Sequence, residues 1–300
     1  MRGKTIAIGV MVMLVMSFTP VSAAQEDVPP YQGRFGPDNA LYGLKIAFEN
    51  IDEAVSLSAD AKLDKQAAHA EERIAEAKAM MEKGKHEAAE KAMKGYTAKA
   101  AAIDATATKP DVTEEGLQRA WLMVRKHERV LHGLIDEPDM PEQAKSALQR
   151  AVENSKAVDM VLSDNVLKIQ ARYAGEKVAE AKAMMEKGDL EAAKGAMELY
   201  MAKMKDINET MDKATLTEEG RQHARQMLRK HETELQDLIG DPNMPEQCKP
   251  ALRRALNNSR TAEDTLDRVI AKMRPEETPA QERPEETPAK GRQRAATAEQ

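Results

Sequence analysis

The chain has 300 residues and a formal net charge of −6, with 32% charged and only 3% aromatic residues. This length predicts about two domains. Its abundant Ala, Met, Glu and Lys residues favour helices over strands. A mildly acidic chain without a block of basic residues has little electrostatic attraction for polyphosphates, so we expect no nucleic-acid partner.

The first 24 residues have the pattern of a secretory signal peptide. Arg2 and Lys4 precede an apolar run over 6–16, and small residues near position 23 offer a cleavage site. We therefore expect a secreted or extracytoplasmic protein with no membrane span after signal removal. The alternative is a segment that is kept as an uncleaved anchor. Residues 25–36 are predicted to form a flexible linker.

Cysteine usage limits how the fold can be stabilised. Cys248 is the only cysteine, so an internal disulfide is excluded and the fold must depend on its apolar core. Cys248 falls on a predicted apolar seam, which favours a buried, unreactive thiol. The alternative is an intermolecular disulfide.

An internal repeat is the most informative feature of the sequence. Residues 75–84 recur unchanged at 179–188, a shift of 179 − 75 = 104 positions, and roughly half of the aligned positions are identical without a gap. This pattern indicates a duplicated structural unit. We predict a first helical module over 37–162, which includes an extra N-terminal helix, and a second module over 163–273.

Each copy of the repeat is predicted to contain four helices. Apolar residues alternate three and four positions apart, which is typical of one buried helix face. Gly84 ends the first helix of copy one, and Thr113 is a predicted N-cap of the third. The seams span 63–81, 89–103, 120–134 and 144–162 in copy one, and 167–185, 193–207, 224–238 and 248–266 in copy two.

These seams predict an all-α fold of two tandem antiparallel bundles with coiled-coil-like packing. No Pro or Gly separates the copies, so a continuous helix from Pro141 to Lys187 is expected, roughly 70 Å long at 1.5 Å per residue. A solenoid of tetratricopeptide-like repeats is the second interpretation. It ranks lower because the seams within one copy do not repeat at that family's period of about 34 residues.

Two segments lie outside the repeat. Residues 37–55 are predicted to form an amphipathic helix with an apolar stripe of Leu41, Leu44, Phe48, Ile51 and Val55. The segment 274–300 contains Arg-Pro-Glu-Glu-Thr-Pro-Ala twice and has no apolar residue larger than Ala apart from proline. It is predicted to be a disordered tail because it cannot bury enough apolar surface to order itself.

One segment resembles a known family. Gly36-Pro-Asp-Asn-Ala-Leu-Tyr-Gly-Leu-Lys45, followed by Ala47-Phe-Glu-Asn50, is similar to the opening of an uncharacterised family of exported helical domains of archaea and bacteria. In that family, a helix of the form A-x-x-R-(L/I)-A-E-A follows, and residues 70–77 resemble it. The resemblance covers about 36–105. Copy two lacks the opening and has Lys177 in place of Arg73. The resemblance implies an exported helical domain and carries no activity.

His127 and His231 recur within Arg-Lys-His-Glu and fall on the apolar seams. A histidine in this position is more often a core residue satisfied by a neighbour than a ligand. Tyr96 and Asn154 are the neighbours expected in copy one, as are Tyr200 and Asn258 in copy two. We hypothesise that each set forms a polar layer that fixes helix register.

The sequence contains no recognisable metal or catalytic motif. No Glu lies three residues before a His, and no two His residues lie four apart, so the di-iron and zinc-helix patterns are missing. Weak candidates for a soft metal such as Cu(I) remain. Core filling by methionine in a bundle with few aromatics is the alternative. These candidates are Met197, Met201, Met204, His127 and His231.

No nucleophile–base or acid–base pair occurs at a usable spacing, so we predict a protein that is not an enzyme and has no cofactor. The first functional hypothesis is a protein-binding or scaffold module of the cell envelope, with an unknown protein partner or self-association. Tandem copies suit a bivalent binder. The second hypothesis is an envelope carrier or sensor of a metal or small ligand, which would use Met and His on the helical seams.

Overall fold

The computed structural model describes residues 28–138 and 140–273, and within these ranges the chain is all-helical. The all-α prediction is therefore confirmed. The predicted signal peptide and C-terminal tail lie outside the described residues. The helices are α1 (Tyr42–Ala54), α2 (Ala59–Glu82), α3 (His86–Ala107), α4 (Glu114–Ile135), α5 (Glu142–Glu186), α6 (Leu190–Lys213), α7 (Glu218–Gly240) and α8 (Lys249–Met273).

Helix α5 contains 45 residues without interruption, which confirms the continuous helix that the sequence predicts. Helix α1 begins at Tyr42, five residues later than predicted, because Pro37–Leu41 forms turns. In these turns the Asn39 side chain accepts a hydrogen bond from the Leu41 backbone at 2.8 Å. A short 3-10 helix, Glu246–Cys248, precedes α8. No helix in the described ranges is long and apolar enough to span a membrane.

Helices α2 and α5 both end within the duplicated segment, and both have the same glycine cap. Gly84 and Gly188 adopt φ angles of 68° and 77°, which other L-residues rarely adopt. The amide of Lys85 donates to the Met80 carbonyl at 2.8 Å, and the Gly84 amide donates to Met81 at 2.8 Å. This pair of bonds is a Schellman motif, and it satisfies carbonyls that the helix end leaves free.

The starts of α4 and α7 have the same N-cap, which confirms the predicted role of Thr113. Its hydroxyl accepts from the Gly116 amide at 3.1 Å and donates to Asp60 at 2.5 Å. In copy two, the Thr217 hydroxyl accepts from the Gly220 amide at 2.9 Å and donates to Asp164. Each cap is therefore fixed by a carboxylate from an earlier helix as well as by its own helix end.

Adding a methyl group at Gly220 is expected to destabilise the protein. A Cβ there would lie 1.9 Å from the Asp164 carboxylate, so Gly220→Ala forces the capping carboxylate away. We expect a loss of about 2 kcal/mol of unfolding free energy, the upper end for a lost cap, in urea denaturation. Gly133 in α4 is the control because nothing lies within 4 Å of its added Cβ. Gly133→Ala should stabilise by about 0.5–1 kcal/mol, and equal losses in both variants would contradict the prediction.

Contacts divide the described residues into two compact units. The first comprises 28–57, 64–103 and 122–156, and it contains α1 together with most of α2, α3 and α4 and the start of α5. Ser155 Oγ of α5 donates to the Val124 carbonyl of α4 at 3.3 Å, and Asn154 of α5 donates to Thr97 of α3 at 3.2 Å. The core of this first unit is formed by small and aliphatic side chains, which include Ala70, Ile74, Ala92, Leu131, Leu148 and Ala151.

The second unit comprises 58–63, 104–121 and 157–273. In this unit α8 packs against both α6 and α7. Trp121 donates to Asp159 at 2.8 Å, which gives the indole N–H a partner in a buried position. Several methionines contribute to this core, alongside the aromatic rings of Trp121 and Tyr200. Its buried side chains include Leu162, Val166, Met197, Tyr200, Met211 and Leu252.

Candidate binding surface

Helix α1 is oriented with its polar face inward. Tyr42, Glu49 and Glu53 are buried, whereas the apolar stripe on the opposite side of the helix is exposed. An amphipathic helix on a soluble protein ordinarily buries its apolar stripe. The reversed orientation therefore needs two explanations, one for what holds the polar face and one for what the apolar face contacts.

A buried ion cluster holds the polar face of α1 against α2. Arg73 of α2 is fully buried, and its guanidinium donates to Glu49 at 2.6 Å and to the Tyr42 hydroxyl at 2.6 Å. Tyr42 in turn donates to Glu76 at 2.7 Å, and Glu76 lies 3.1 Å from Arg73. Lys45 also donates to Glu76. These charge-assisted bonds compensate for the removal of the charges from water.

A second group of contacts holds the C-terminal part of α1 against α2 and α3. Glu53 accepts from Lys99 of α3 and lies 2.7 Å from the His69 ring of α2. Lys99 also donates to Asn50 at 2.9 Å. Burial opposes ionisation of Glu53, but the bonds from Lys99 and His69 outweigh it, so the pKa of this carboxyl lies below its usual range.

We call the groove between α2 and α3 that receives α1 the first groove.

The exposed side of α1 forms an apolar seam, which we define as Leu41, Leu44, Phe48, Ile51 and Val55. Their exposed fractions range from 50% for Leu41 to 65% for Val55. If a large apolar side chain covers roughly 200 Å², the seam exposes on the order of 600 Å², at the upper end of the largest apolar patch on a typical monomer. The largest apolar patch of a monomer is often a functional surface.

The spacing of the seam is that of a coiled-coil contact. Its five positions alternate three and four apart, as the a and d positions of two heptads do. Ala47 and Ala54 are exposed beside the seam, and their small side chains allow close approach of another chain. The surface is therefore shaped for packing into a groove between helices.

Copy two has a counterpart of the first groove, formed by α6 and the C-terminal half of α5, which we call the second groove. It contains an open cavity of about 670 Å³, lined in part by Val112, Ile169, Tyr173, Leu199 and Lys203. Lys203 is the counterpart of Lys99, and its partner is Glu114 at 3.1 Å. The first residue of α4 therefore supplies the carboxylate that Glu53 of α1 supplies in the first groove.

Among the residues that the structure describes, none covers the rest of the second groove. Arg73 and Glu76 in the first groove have side chains that are 0% exposed. Their counterparts, Lys177 and Glu180, are 18% and 45% exposed and pair with each other at 2.6 Å. Met184 is likewise only partly buried, whereas its counterpart Met80 is buried. The difference reflects the lack of an α1 equivalent in copy two.

The repeated histidines lie in the two cores. The His127 and Tyr96 ring centroids are 5.8 Å apart in an edge-to-face arrangement, and His231 and Tyr200 repeat this arrangement at 5.8 Å. Among the described residues, neither ring nitrogen of either histidine has a hydrogen-bond partner. Burial, reinforced by the adjacent lysine, lowers the histidine pKa from 6.5 to about 3 for His127 and about 4 for His231.

Asn154 does not join this layer. Its side chain donates to Thr97 and to the Arg150 carbonyl at 2.8 Å, and the neighbouring Ser155 lies in the core instead. One residue corresponds to a rotation of about 100° around the helix, so the seam passes through Ser155 and leaves Asn154 at its edge. The tyrosine neighbour was predictable from the sequence, and the asparagine neighbour was wrong.

The methionine candidates lie on α6. Met197 and Met204 are buried in the core, whereas Met201 is only partly buried. A cavity of about 120 Å³ is lined by Met185, Met197 and Cys248, together with Lys194 and Arg254. The two cations outnumber the single carboxylate of the lining, Glu191, and this net positive charge would oppose the binding of a metal cation. In the described ranges, no group of three or more His, Cys, Asp or Glu side chains is placed to hold a metal ion.

Comparison with known protein families gives a match for α1 and the first copy of the repeat. Residues 35–163 match the model of a family described as a domain of unknown function, DUF5667. This match confirms the resemblance to an uncharacterised family and extends it from the opening and first helices through the whole first module. Comparisons with curated proteins and with solved structures gave no match.

Proposed function

We propose that this chain, whose residues 35–163 form a domain of that family, is an exported, non-enzymatic binding or scaffold module of the cell envelope. The observation that carries the proposal is the apolar seam of α1, which is exposed while the opposite face is held by ion pairs. The signal-peptide pattern supports the location, and the seam is the surface through which the module binds another protein chain.

The chemistry of α1 favours a protein partner over a bilayer. Helices that lie on membranes carry Lys and Arg on the polar face beside their apolar face. The polar face of α1 carries Glu49 and Glu53 beside a single basic residue, Lys45, and all three are engaged by α2 and α3 rather than free to meet lipid headgroups. The seam is also a narrow stripe at heptad spacing, which fits a groove or another helix better than a flat surface.

A photo-cross-linking amino acid placed at Phe48 tests this proposal in intact cells. We expect covalent adducts with a protein chain, because Phe48 is at the centre of the seam and is 63% exposed. The same group at Leu122 of α4, which is 61% exposed and outside the seam, is the matched control and should give no discrete adduct. A second substitution, Ile51→Glu, should abolish the adduct at position 48.

Two results would overturn the proposal. One is the absence of protein adducts at position 48, or adducts with lipid alone. The other is an adduct pattern at position 48 that matches the pattern at position 122. Adding metal ions to the purified protein tests the alternative function of a metal carrier. A metal that binds only the native state would raise the melting temperature of a carrier, whereas the melting temperature of a protein-binding module should not change.

A further inference from the structure

We propose that the second groove binds the apolar seam of α1 from another copy of this chain, so that copies associate head to tail. The inference rests on the proposed function, in which the seam is the binding surface, and it names the partner. Each chain presents two exposed surfaces, the convex seam of α1 and the concave second groove. Within the described residues, no other part of the same chain covers either surface.

The first groove shows what the duplicated unit is built to hold. In copy one, the groove between the first two helices of the repeat accommodates a helix of 13 residues along its surface. Contacts run from Lys45 with Glu72, at 2.7 Å, to Lys65 with Asp52, at 2.7 Å. The second groove is formed by the corresponding helices of copy two. A helix seated beside the start of α4, in the part of the groove that remains uncovered, is therefore the occupant that its architecture favours.

Substitutions between the copies change which helix face the groove accepts. Lys65 and His69, which contact the polar face of α1, are replaced in copy two by Ile169 and Tyr173. Both replacements exchange a basic side chain for a neutral and largely apolar one. Leu199, which is 40% exposed, adds a third apolar side chain to the lining. The second groove therefore suits an apolar helix face.

Position 199 also excludes a copy of the arrangement in the first groove. Its counterpart is Gly95, where an added Cβ would lie 2.9 Å from the Arg73 side chain and 3.8 Å from the Tyr42 hydroxyl. A leucine at this position would occupy the space that the Arg73–Tyr42 contact needs. The polar face of α1 cannot bind the second groove in the same way, whereas its apolar seam meets Leu199 with complementary chemistry.

The apolar seam of α1 is the occupant that this chain itself offers. It is already presented on a helix whose other face is fixed, so little conformational entropy is lost on binding. The segment 274–300 is excluded because its apolar residues are only Ala and Pro. An interface between two different surfaces of one chain is heterologous, and such contacts extend into open assemblies unless they close into a ring.

Complementation between two variants is the decisive experiment. Ile51→Glu disrupts the seam and leaves the second groove intact, whereas Leu199→Glu disrupts the second groove and leaves the seam intact. We expect wild-type protein to form concentration-dependent species larger than dimers in sedimentation velocity. Each variant alone should remain monomeric, and an equimolar mixture should form 1:1 dimers, because one intact surface of each kind remains.

Matched variants control for charge and folding. Leu122→Glu places the same charge at an exposed apolar position of α4 and should assemble like the wild type. Ile51→Ser and Leu199→Ser remove the apolar contact without adding charge and should weaken assembly in the same sense. Unchanged helicity by circular dichroism is required of each variant, and since both positions are exposed, we expect all of them to fold.

Several outcomes would overturn the inference. Wild-type protein that stays monomeric at all concentrations would do so, as would a mixture of the two glutamate variants that fails to dimerise. If Leu199→Glu assembles normally and Ile51→Glu does not, the seam pairs with something other than the second groove. If the seam cross-links to a different protein in cells while the purified chain stays monomeric, the proposed function stands and this inference fails.

Discussion

Replacing Arg73 with alanine is expected to lower the free energy of unfolding of the first unit by about 3–5 kcal/mol, the cost of breaking a buried ion pair from one side. The guanidinium is the donor that Glu49 and Tyr42 share, and it lies 3.1 Å from Glu76, whose side chain is fully buried. Without it, these groups remain away from water with fewer compensating bonds. Urea denaturation followed by circular dichroism measures the loss.

The duplication supplies a matched control for this prediction. Lys177 occupies the corresponding position in copy two, where it pairs with the 45% exposed Glu180. Since exposed pairs contribute little, Lys177→Ala should cost less than about 1 kcal/mol. Hydrogen exchange adds a local readout, because amides of α1 should lose protection in Arg73→Ala only. Equal destabilisation by the two substitutions would contradict the assigned role of the buried cluster.

Stability is expected to fall by about 2 kcal/mol per buried histidine, or about 4 kcal/mol in all, when the pH is lowered from 7 to 5. His127 and His231 have a pKa of about 3 and about 4 in the native state, below the ordinary value of 6.5. Between these values the unfolded chain binds protons that the native core excludes. The stability is therefore fully present above pH 6.5 and is lost as the pH falls through this window.

Paired substitutions separate the contribution of the two buried histidines to the pH dependence of stability from the contribution of the carboxylates. His127→Leu together with His231→Leu should flatten the dependence of the urea midpoint on pH between 7 and 5. At pH 7 the change in stability should be small, because an unsatisfied polar ring is exchanged for an apolar group. His132→Leu, at a half-exposed position of α4, is the matched control for the loss of a histidine outside the core. An unaltered slope in the double variant would show that neither buried ring is responsible.

Local features of the fold were predictable from the sequence because short-range chemistry decides them. A glycine after the last seam position, at Gly84 and Gly188, indicates a left-handed C-cap. Thr113 before two glutamates indicates an N-cap, and the lack of Pro or Gly between copies indicates the continuous α5. The repeat itself strengthened each assignment, since the same signal occurs twice.

The orientation of α1 was not predictable, because it depends on partners far along the chain. The seam residues of α1 have the pattern of a core-facing stripe, and the pattern alone does not show that the opposite face is buried. That outcome depends on Arg73 and Lys99, which are 24 and 46 positions from their partners Glu49 and Glu53. The second groove was not predictable either. It is exposed because copy two has no helix equivalent to α1, and only the structure shows that α1 covers the corresponding groove of copy one.

The two faces of α1 should differ in their response to the salt content of the surroundings. Screening weakens ion pairs, although buried ones such as Arg73 with Glu49 are affected least. Excluded salts such as sulfate strengthen the burial of apolar surface, and hence association through Phe48 and Ile51. An attachment that tightens with excluded salts on one face and resists screening on the other would persist over a wide range of salt concentration.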